Sequence, residues 1–315
     1  MLIRNFIFWL SGKKSITQAI SKRGMRHGFA RRFIAGETLA ESLIACRELN
    51  RVGRRISLNH LGENVSSAEE AARVKSGYVE MACELDRQGL DGNVSIKLTQ
   101  LGLDLKSGGN ELCARLTAEI AAAADGMGRT IEIDMEGSAY TDATLEIFEA
   151  TRRRYANVAL AIQAYLYRSE KDLERLSALG PKIRLVKGAY REPAKIAFQT
   201  KADVDANYRR LLDVLLDGRF QAAIATHDPE ILLYARRQLA ERAVPPDRFE
   251  FQMIYGVRRD LQQRLCADNF PLRVYVPFGT EWCPYFMRRL SERPANCWFV
   301  LRSLMAESFG KSGTM

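Results

Sequence analysis

The sequence predicts an α/β fold, a TIM-like (β/α)8 barrel preceded by an N-terminal helical arm. From about residue 56 onward, eight short apolar or β-branched runs alternate with longer stretches of helical periodicity. The glycine-rich phosphate-binding patterns of nucleotide sites do not occur, which disfavours a doubly wound sheet. The 315 residues exceed the ~250 typical of one barrel, so the chain has room for an additional arm.

The eight predicted strands are the runs RISLNHLGE, NVSIKLTQ, RTIEIDMEG, VALAIQAYLY, KIRLVKGAY, AAIATHD, FEFQMIYG and RVYVPFG. The periodic stretches between and after them predict helices at about residues 66–90, 111–126, 142–155, 169–179, 200–218, 228–243, 257–268 and 281–292. Four of these helices begin near suitable N-cap residues, namely Ser66, Asp142, Ser169 and Asp228. The repeat predicts one barrel domain over residues 46–315.

Residues 1–45 are predicted to form a separate basic helical arm. The first 55 residues contain twelve Lys or Arg and three acids, whereas the remainder of the chain is balanced in charge. One interpretation is an arm packed against the barrel with its charges in solvent. Another is that residues 1–36 contact an anionic membrane surface through basic side chains and the segment NFIFWL. Nucleic-acid binding is disfavoured because the arm carries no recognition motif.

The composition limits the classes of protein and of site. No apolar run approaches the ~20 residues needed to span a bilayer, and no small-residue cleavage site follows the N-terminal apolar segment. The six cysteines are scattered without a CxxC pair, which indicates reduced thiols and a cytoplasmic location. The three histidines stand singly along the chain, so no metal site is predicted.

Polar residues gather where the predicted strands end, at the rim where barrel enzymes place their active sites. They are Glu63, Lys97, Asp134, Glu136, Gln163, Arg184, Lys187, Thr226, His227, Gln252 and Tyr275. Arg184 differs from the others because it lies inside a predicted buried strand, where a charge is costly unless it is paired or contacts a ligand. The simplest interpretation is a buried ion pair with Asp134 or Glu136.

The last predicted helix carries two adjacent arginines, Arg288 and Arg289, with Tyr285 one turn before them. Guanidinium groups bind carboxylates through charge-assisted hydrogen bonds, and Lys97 would add a third positive group. Alternatively, the pair is a solvated feature of the helix, with Glu292 in i,i+3 contact with Arg289. The segment therefore indicates either a carboxylate site or an exposed charge cluster.

Several segments together resemble the catalytic domain of the proline dehydrogenases, FAD-dependent enzymes that open proline catabolism. They are SIKLTQLGLDL, IEIDMEGSAYTD, AIQAYLYR, IRLVKGAYRE, ATHDPE, FEFQMIYG and RVYVPFGTEWCPYFMRRLSE. The resemblance runs in order from about residue 36 to about 302. It is closest to the monofunctional type, which is similar to the catalytic domain of proline utilization A without its aldehyde dehydrogenase module and DNA-binding segment.

The resemblance implies a site for L-proline. Its carboxylate would be held by the basic side chains Lys97, Arg288 and Arg289. Its pyrrolidine ring would contact three tyrosines and two apolar side chains, namely Tyr190, Tyr275, Tyr285, Ala189 and Ile254. Glu63 would pair with Arg288 as a gate over the bound substrate.

The resemblance also implies an FAD site on the same rim. The catalytic set would be Asp134, Arg184 and Tyr275, with Arg184 approaching the flavin N5. FAD itself would be held by Met135, Gln163, Arg184, Lys187, Gly188, Ala189, Thr226 and His227. The alternative for His227 is a hydrogen-bonded histidine at a strand end with no role in cofactor binding.

The implied reaction is oxidation of L-proline to 1-pyrroline-5-carboxylate, with hydride passing from C5 of proline to N5 of FAD and electrons then passing to a quinone. The implied location is the cytoplasm, with peripheral attachment to the inner face of the cytoplasmic membrane if the arm binds lipid. A competing class is a Schiff-base lyase built on Lys97 or Lys187, since a desolvated lysine beside cations is a nucleophile.

Overall fold

The protein forms a closed barrel of eight parallel strands, each hydrogen-bonded to the next, with β1 pairing to β8. A computed structural model describes residues 30–62, 64–283 and 285. The strands are β1 (Arg55–His60), β2 (Gly92–Ile96), β3 (Ile131–Ile133), β4 (Val158–Gln163), β5 (Lys182–Val186), β6 (Gln221–Ala225), β7 (Phe249–Ile254) and β8 (Leu272–Phe278). Each of the eight predicted runs overlaps one strand, with bounds that agree to within one residue at the start of β2, β6 and β8, so the predicted barrel is confirmed.

Eight named α-helices connect or flank the strands within the described residues. They are α1 (Leu39–Arg51), α2 (Ala68–Arg87), α3 (Gly109–Asp125), α4 (Thr141–Arg152), α5 (Ser169–Leu176), α6 (Lys201–Leu215), α7 (Pro229–Glu241) and α8 (Arg259–Ala267). Trp282, Cys283 and Tyr285, at the start of the helix predicted after β8, are also helical. Strands and helices therefore alternate throughout the described residues of the barrel.

The predicted helix caps are partly confirmed. The Asp228 side chain caps α7 by accepting from the Glu230 amide, at 3.1 Å. Helix α2 is capped by Ser67 rather than Ser66, whose hydroxyl donates to Glu70 instead. Asp142 lies inside the first turn of α4 and is not its cap. Ser169 is the first residue of α5 rather than its cap, and its hydroxyl donates to the Gln163 carbonyl at 2.6 Å.

Helix α1 packs against β1 and β8, on the outside of the seam that closes the barrel. The chain before it runs across the ends of the last two strands: the Ala35 amide donates to the Pro277 carbonyl at 2.9 Å. Gly256, with φ of 74°, passes so close that a Cβ there would lie 1.7 Å from the Arg32 carbonyl oxygen. The segment 30–36 therefore belongs to the rim of the barrel.

The predicted boundary at residue 45 stays a prediction, and α1 runs across that position. Residues 1–29, which make up most of the predicted helical arm, lie outside the described residues. No helix in the described part of the chain has the length and apolar character needed to cross a membrane.

The barrel interior contains charged side chains in addition to apolar ones. Near the N-terminal ends of the strands, Glu250 accepts from the Arg273 Nε at 2.7 Å and from the Lys182 Nζ at 2.5 Å. Burial opposes the ionised carboxylate, but the charges of Arg273 and Lys182 outweigh it and hold the pKa of Glu250 below its usual value. A charged layer therefore lies beneath the rim.

Candidate active site

Asp134 is the centre of the polar cluster at the rim. It follows β3 directly, and its carboxylate receives hydrogen bonds from four side chains on three other strands or strand ends. The donors are the Tyr275 hydroxyl at 2.9 Å, the Ser95 hydroxyl at 2.7 Å, the Lys97 ammonium and the Arg184 guanidinium. The structure therefore brings together Lys97, Asp134, Arg184 and Tyr275, as the sequence predicts.

The charges of this cluster are fixed by mutual pairing. Burial opposes ionisation of Asp134, yet the Lys97 and Arg184 charges outweigh it and lower the pKa of Asp134 to about 2. Burial alone would lower the pKa of Lys97, but the Asp134 charge raises that pKa well above its usual value. Both groups are therefore charged near pH 7. A protonated, paired Lys97 is a poor nucleophile, which counts against the lyase interpretation for this residue.

The Arg184 guanidinium forms as many hydrogen bonds as it has N–H donors, which is five. Its acceptors are the Gln252 amide oxygen at 2.7 Å, the Ser95 and Ser57 hydroxyls at 3.1 Å, and the carboxylates of Asp134 and Glu132. The guanidinium also lies over the Tyr275 ring, 5.2 Å from its centroid. Every N–H group of the Arg184 guanidinium therefore donates to another side chain of the protein.

The predicted ion pair of Arg184 with Asp134 or Glu136 is confirmed, and the partner is Asp134. Glu136 turns to the start of the next loop, where it accepts from the Thr99 amide at 3.0 Å and from the Thr99 hydroxyl at 2.6 Å. The second partner is Glu132, which the sequence analysis missed. Side chains alternate across a strand, so Glu132 and Asp134 face the same side of β3, and this two-residue spacing was the available signal.

Lys187 lies in a separate charged group at the ends of β5 and β6. Its ammonium contacts Asp228 at 2.8 Å and also Asp205, and Lys201 contacts the same two carboxylates. Burial opposes the charge of Asp228, but hydrogen bonds from Lys187 and Lys201 hold its pKa below the usual range. Lys187 is therefore neutralised by two acids and differs from Lys97, which contacts one.

Of three predicted cofactor positions, Gln163 presents a buried acceptor to a ligand, whereas Gly188 and His227 contact other residues of the protein. Gln163 donates to the Glu136 carbonyl at 2.7 Å, while its buried Oε1 has no hydrogen-bond partner among the described residues. Gly188 has φ of 119°, and a Cβ there would lie 2.4 Å from the Tyr165 ring. The Nε2 of His227 accepts from the Ile254 amide at 2.8 Å, so this nitrogen carries no proton.

The remaining predicted positions lie along the same rim. Met135 and Tyr285 are buried, Tyr190 and Ile254 are half-buried, and Ala189 is exposed. The Thr226 hydroxyl accepts from the Asp228 amide at 3.1 Å. The predicted gate and most of the predicted carboxylate clamp, namely Glu63, Arg288 and Arg289, lie outside the described residues. Of the clamp, the structure therefore places only Lys97.

Within the ranges that the structure describes, no group of three or more His, Cys, Asp or Glu side chains is placed to hold a metal ion. The charged groups at the rim are instead paired carboxylates and cations.

A family model described as proline dehydrogenase matches residues 43–302. The chain belongs to the proline dehydrogenase family. It is 37% identical over 305 residues to proline dehydrogenase 1 of Bacillus subtilis strain 168, covering 96% of this chain and 99% of that protein. It is 38% identical over 278 residues to proline dehydrogenase of Deinococcus radiodurans, covering 88% and 90%. The predicted resemblance and the prediction of an enzyme are confirmed.

A solved structure supports the same fold. Proline utilization A from Bdellovibrio bacteriovorus, inactivated by N-propargylglycine, superimposes with a TM-score of 0.80 at 25% identity. The match covers 87% of this chain and 33% of that longer protein. The proline dehydrogenase family therefore accounts for the barrel seen here.

The pairing of Asp134 predicts a loss of stability in acid. Its folded pKa of about 2 lies below the ordinary aspartate value of 3.8, so the unfolded chain binds this proton first as pH falls. The resulting stability, roughly 2–3 kcal/mol for a shift of about two units, is present above pH ~4 and lost towards pH ~2. We expect the difference in unfolding free energy between wild type and Asp134→Asn to shrink over that range.

Urea unfolding at several pH values measures this difference, and equal urea m-values in the two proteins provide the control for equal exposed surface. A difference that stays constant from neutral pH down to pH ~2 would contradict the assignment.

Proposed function

We propose that the protein oxidises L-proline to 1-pyrroline-5-carboxylate with a bound FAD, as the first step of proline catabolism to glutamate, and passes the electrons to a quinone. The observation that carries this proposal is the buried cluster of Lys97, Asp134, Arg184 and Tyr275 at the rim of the barrel. The cluster offers the Lys97 ammonium to a substrate carboxylate and holds the Arg184 guanidinium beside it as a fixed cation. The chain that carries it belongs to the proline dehydrogenase family.

Lys97 is proposed to bind the proline carboxylate. Its ammonium is held in place by Asp134 and lies 3.5 Å from the Tyr275 hydroxyl, so its position is set before a substrate arrives. Arg288 and Arg289 would complete the clamp, and Glu63 would pair with Arg288 over it. The pyrrolidine ring would then lie against the side chains proposed for it, which are Ala189, Tyr190, Ile254, Tyr275 and Tyr285.

FAD, when bound, supplies a two-electron acceptor that the side chains of the chain lack. The unpartnered Gln163 Oε1 is an acceptor suited to the single ring N–H of an isoalloxazine. Lys187 contributes a cation nearby. The residues proposed to hold the cofactor are Met135, Gln163, Arg184, Lys187, Gly188, Ala189, Thr226 and His227.

Asp134, Arg184 and Tyr275 are proposed to act through orientation and charge. A carboxyl with a pKa of about 2 does not accept a proton efficiently near pH 7, so Asp134 is not assigned as a base. It instead fixes the Lys97 ammonium, the Tyr275 hydroxyl and the Arg184 guanidinium relative to one another. Arg184 provides a preorganised positive charge where negative charge develops during the reaction.

The first prediction of this function concerns the cofactor. We expect the purified protein to be yellow and to release noncovalent FAD when it is denatured, because the rim supplies an orphan acceptor and a cation suited to a flavin. Adding L-proline without oxygen should bleach the flavin absorbance. A colourless protein that cannot be reconstituted with FAD would refute the proposal.

The second prediction separates the two lysines. Lys97→Met should raise the KM for proline by about 10- to 100-fold, since one charge-assisted hydrogen bond contributes about 1.5–3 kcal/mol, and should leave FAD content near that of wild type. The matched variant Lys187→Met should lower FAD content instead. Steady-state kinetics and the ratio of flavin to protein measure the two effects. A KM within about twofold of wild type in Lys97→Met would remove this lysine from the clamp.

Membrane contact through residues 1–36 is proposed as the route to a quinone acceptor. This segment carries eight basic side chains before its first acid, Glu37, and each contributes about 1 kcal/mol of attraction near an anionic leaflet. We expect co-sedimentation with anionic liposomes that fades as salt rises. Deleting residues 1–12 should reduce turnover with a membrane quinone but not with a soluble dye. Protein that ignores anionic liposomes at low salt would argue for a purely structural arm.

A further inference from the structure

Glu132 lies deeper in the barrel than Asp134 and is fully buried. Its carboxylate accepts from the Arg184 Nη2, from the Asn93 amide at 3.1 Å and from the Gln252 amide at 3.3 Å. Arg184 is the only cation that Glu132 contacts among the described residues. This carboxylate is therefore dedicated to Arg184 and to the amides that surround it.

The two carboxylates that hold Arg184 are not equivalent. Asp134 also binds Lys97, Tyr275 and Ser95, and its side chain retains 14% of its exposure at the rim. Asp134 can thus lose its bond to Arg184 and remain paired with Lys97. Within the described part of the chain Glu132 contacts no second cation, so its contact is the stronger anchor for the guanidinium.

The two strands that flank β5 place only small side chains beside Arg184. Its register partners are Ala161 on β4 and Ala223 on β6, both too small to restrain a long side chain. Gln252 joins the anchor from another direction, since it accepts from the Arg184 Nε at 2.7 Å and donates to Glu132. Hydrogen bonds to Glu132 and Gln252 therefore fix the guanidinium from below, together with its contact with the Tyr275 ring.

We propose that Glu132 is a positioning residue for the chemistry at the rim: it holds Arg184 at a fixed depth in the barrel and partly balances its charge. The inference rests on the proposed flavin-dependent function. Because all five N–H donors of Arg184 have protein acceptors, Arg184 acts on a bound flavin mainly as a fixed charge. A direct hydrogen bond from Arg184 to the flavin requires one of these five bonds to break. The bond to Asp134 is the best candidate, because Asp134 also accepts hydrogen bonds from other side chains.

Two substitutions separate the charge of Glu132 from its position. Glu132→Gln keeps the size of the side chain and removes its negative charge, so the rim becomes more positive and we expect the midpoint potential of the bound flavin to rise. Glu132→Asp keeps the charge but shortens the side chain by one methylene. We expect that variant to keep a potential near wild type while the rate of flavin reduction at saturating proline falls about tenfold or more, with little change in KM.

Glu250→Gln is the matched control. Glu250 is also buried and also holds arginine side chains, but it lies lower in the barrel and contacts Arg273, Lys182 and Arg55 instead of Arg184. We expect it to change the flavin potential less than Glu132→Gln does. The comparison distinguishes a specific effect on Arg184 from the general loss of a buried carboxylate.

An unchanged potential in Glu132→Gln, or an equal shift in Glu250→Gln, would overturn the inference. An unchanged rate of flavin reduction in Glu132→Asp would overturn the positioning role of Glu132, whatever the flavin potentials are. If Glu132→Gln does not fold, the reduction rate of Glu132→Asp alone tests that role. Failure of the wild-type protein to bind FAD or to be reduced by proline would instead refute the proposed function, so the two failures are distinguishable.

Discussion

Pairing of charge inside the barrel is the constraint on which the rest of this structure depends. Arg184 is almost completely buried, and an unpaired guanidinium there would cost several kcal/mol, so the strands must align to bring acceptors around it. Those acceptors come from β1, β2 and β7 and from β3 and its end. Shifting any of these strands by one residue would turn its polar side chains away from the interior. The charge therefore specifies register as well as chemistry.

The candidate site is the upper end of this internal network. Gln252 donates to Glu250 in the lower layer at 2.8 Å and to Glu132 in the layer above, while Asp134 joins Arg184 to Lys97 and Tyr275 at the rim. Structural and functional roles are thus connected through shared hydrogen bonds. Substitutions in the middle of the barrel are expected to act on the rim through orientation, and their effects should be non-additive with those of Asp134.

The barrel could be predicted from sequence because its strands are short apolar runs at regular spacing, and all eight were located. The site was predicted less completely, and the pair Glu132 and Glu136 shows why. β3 ends at Ile133 and Asp134 follows it directly, so side-chain alternation along the strand still places Glu132 and Asp134 on the same, inward face. Residue 136 lies farther from the strand, where this alternation no longer applies. Glu136 then takes the Thr99 amide as its donor, a contact between loops that no pattern within either segment indicates.

The two lysines at strand ends show how far residue type alone can mislead. Both Lys97 and Lys187 suit a carboxylate, a phosphate or a carbonyl, and the sequence does not distinguish them. Lys97 points into the barrel and contacts Asp134, which it shares with Arg184, and Arg184 also pairs with Glu132, so this group of four is neutral. Lys187 lies between two carboxylates that it shares with Lys201, and that group of four is neutral. Net charge therefore does not distinguish the two lysines, and the difference lies in their surroundings: Lys97 lies 3.5 Å from the Tyr275 hydroxyl and shares its carboxylate with Arg184.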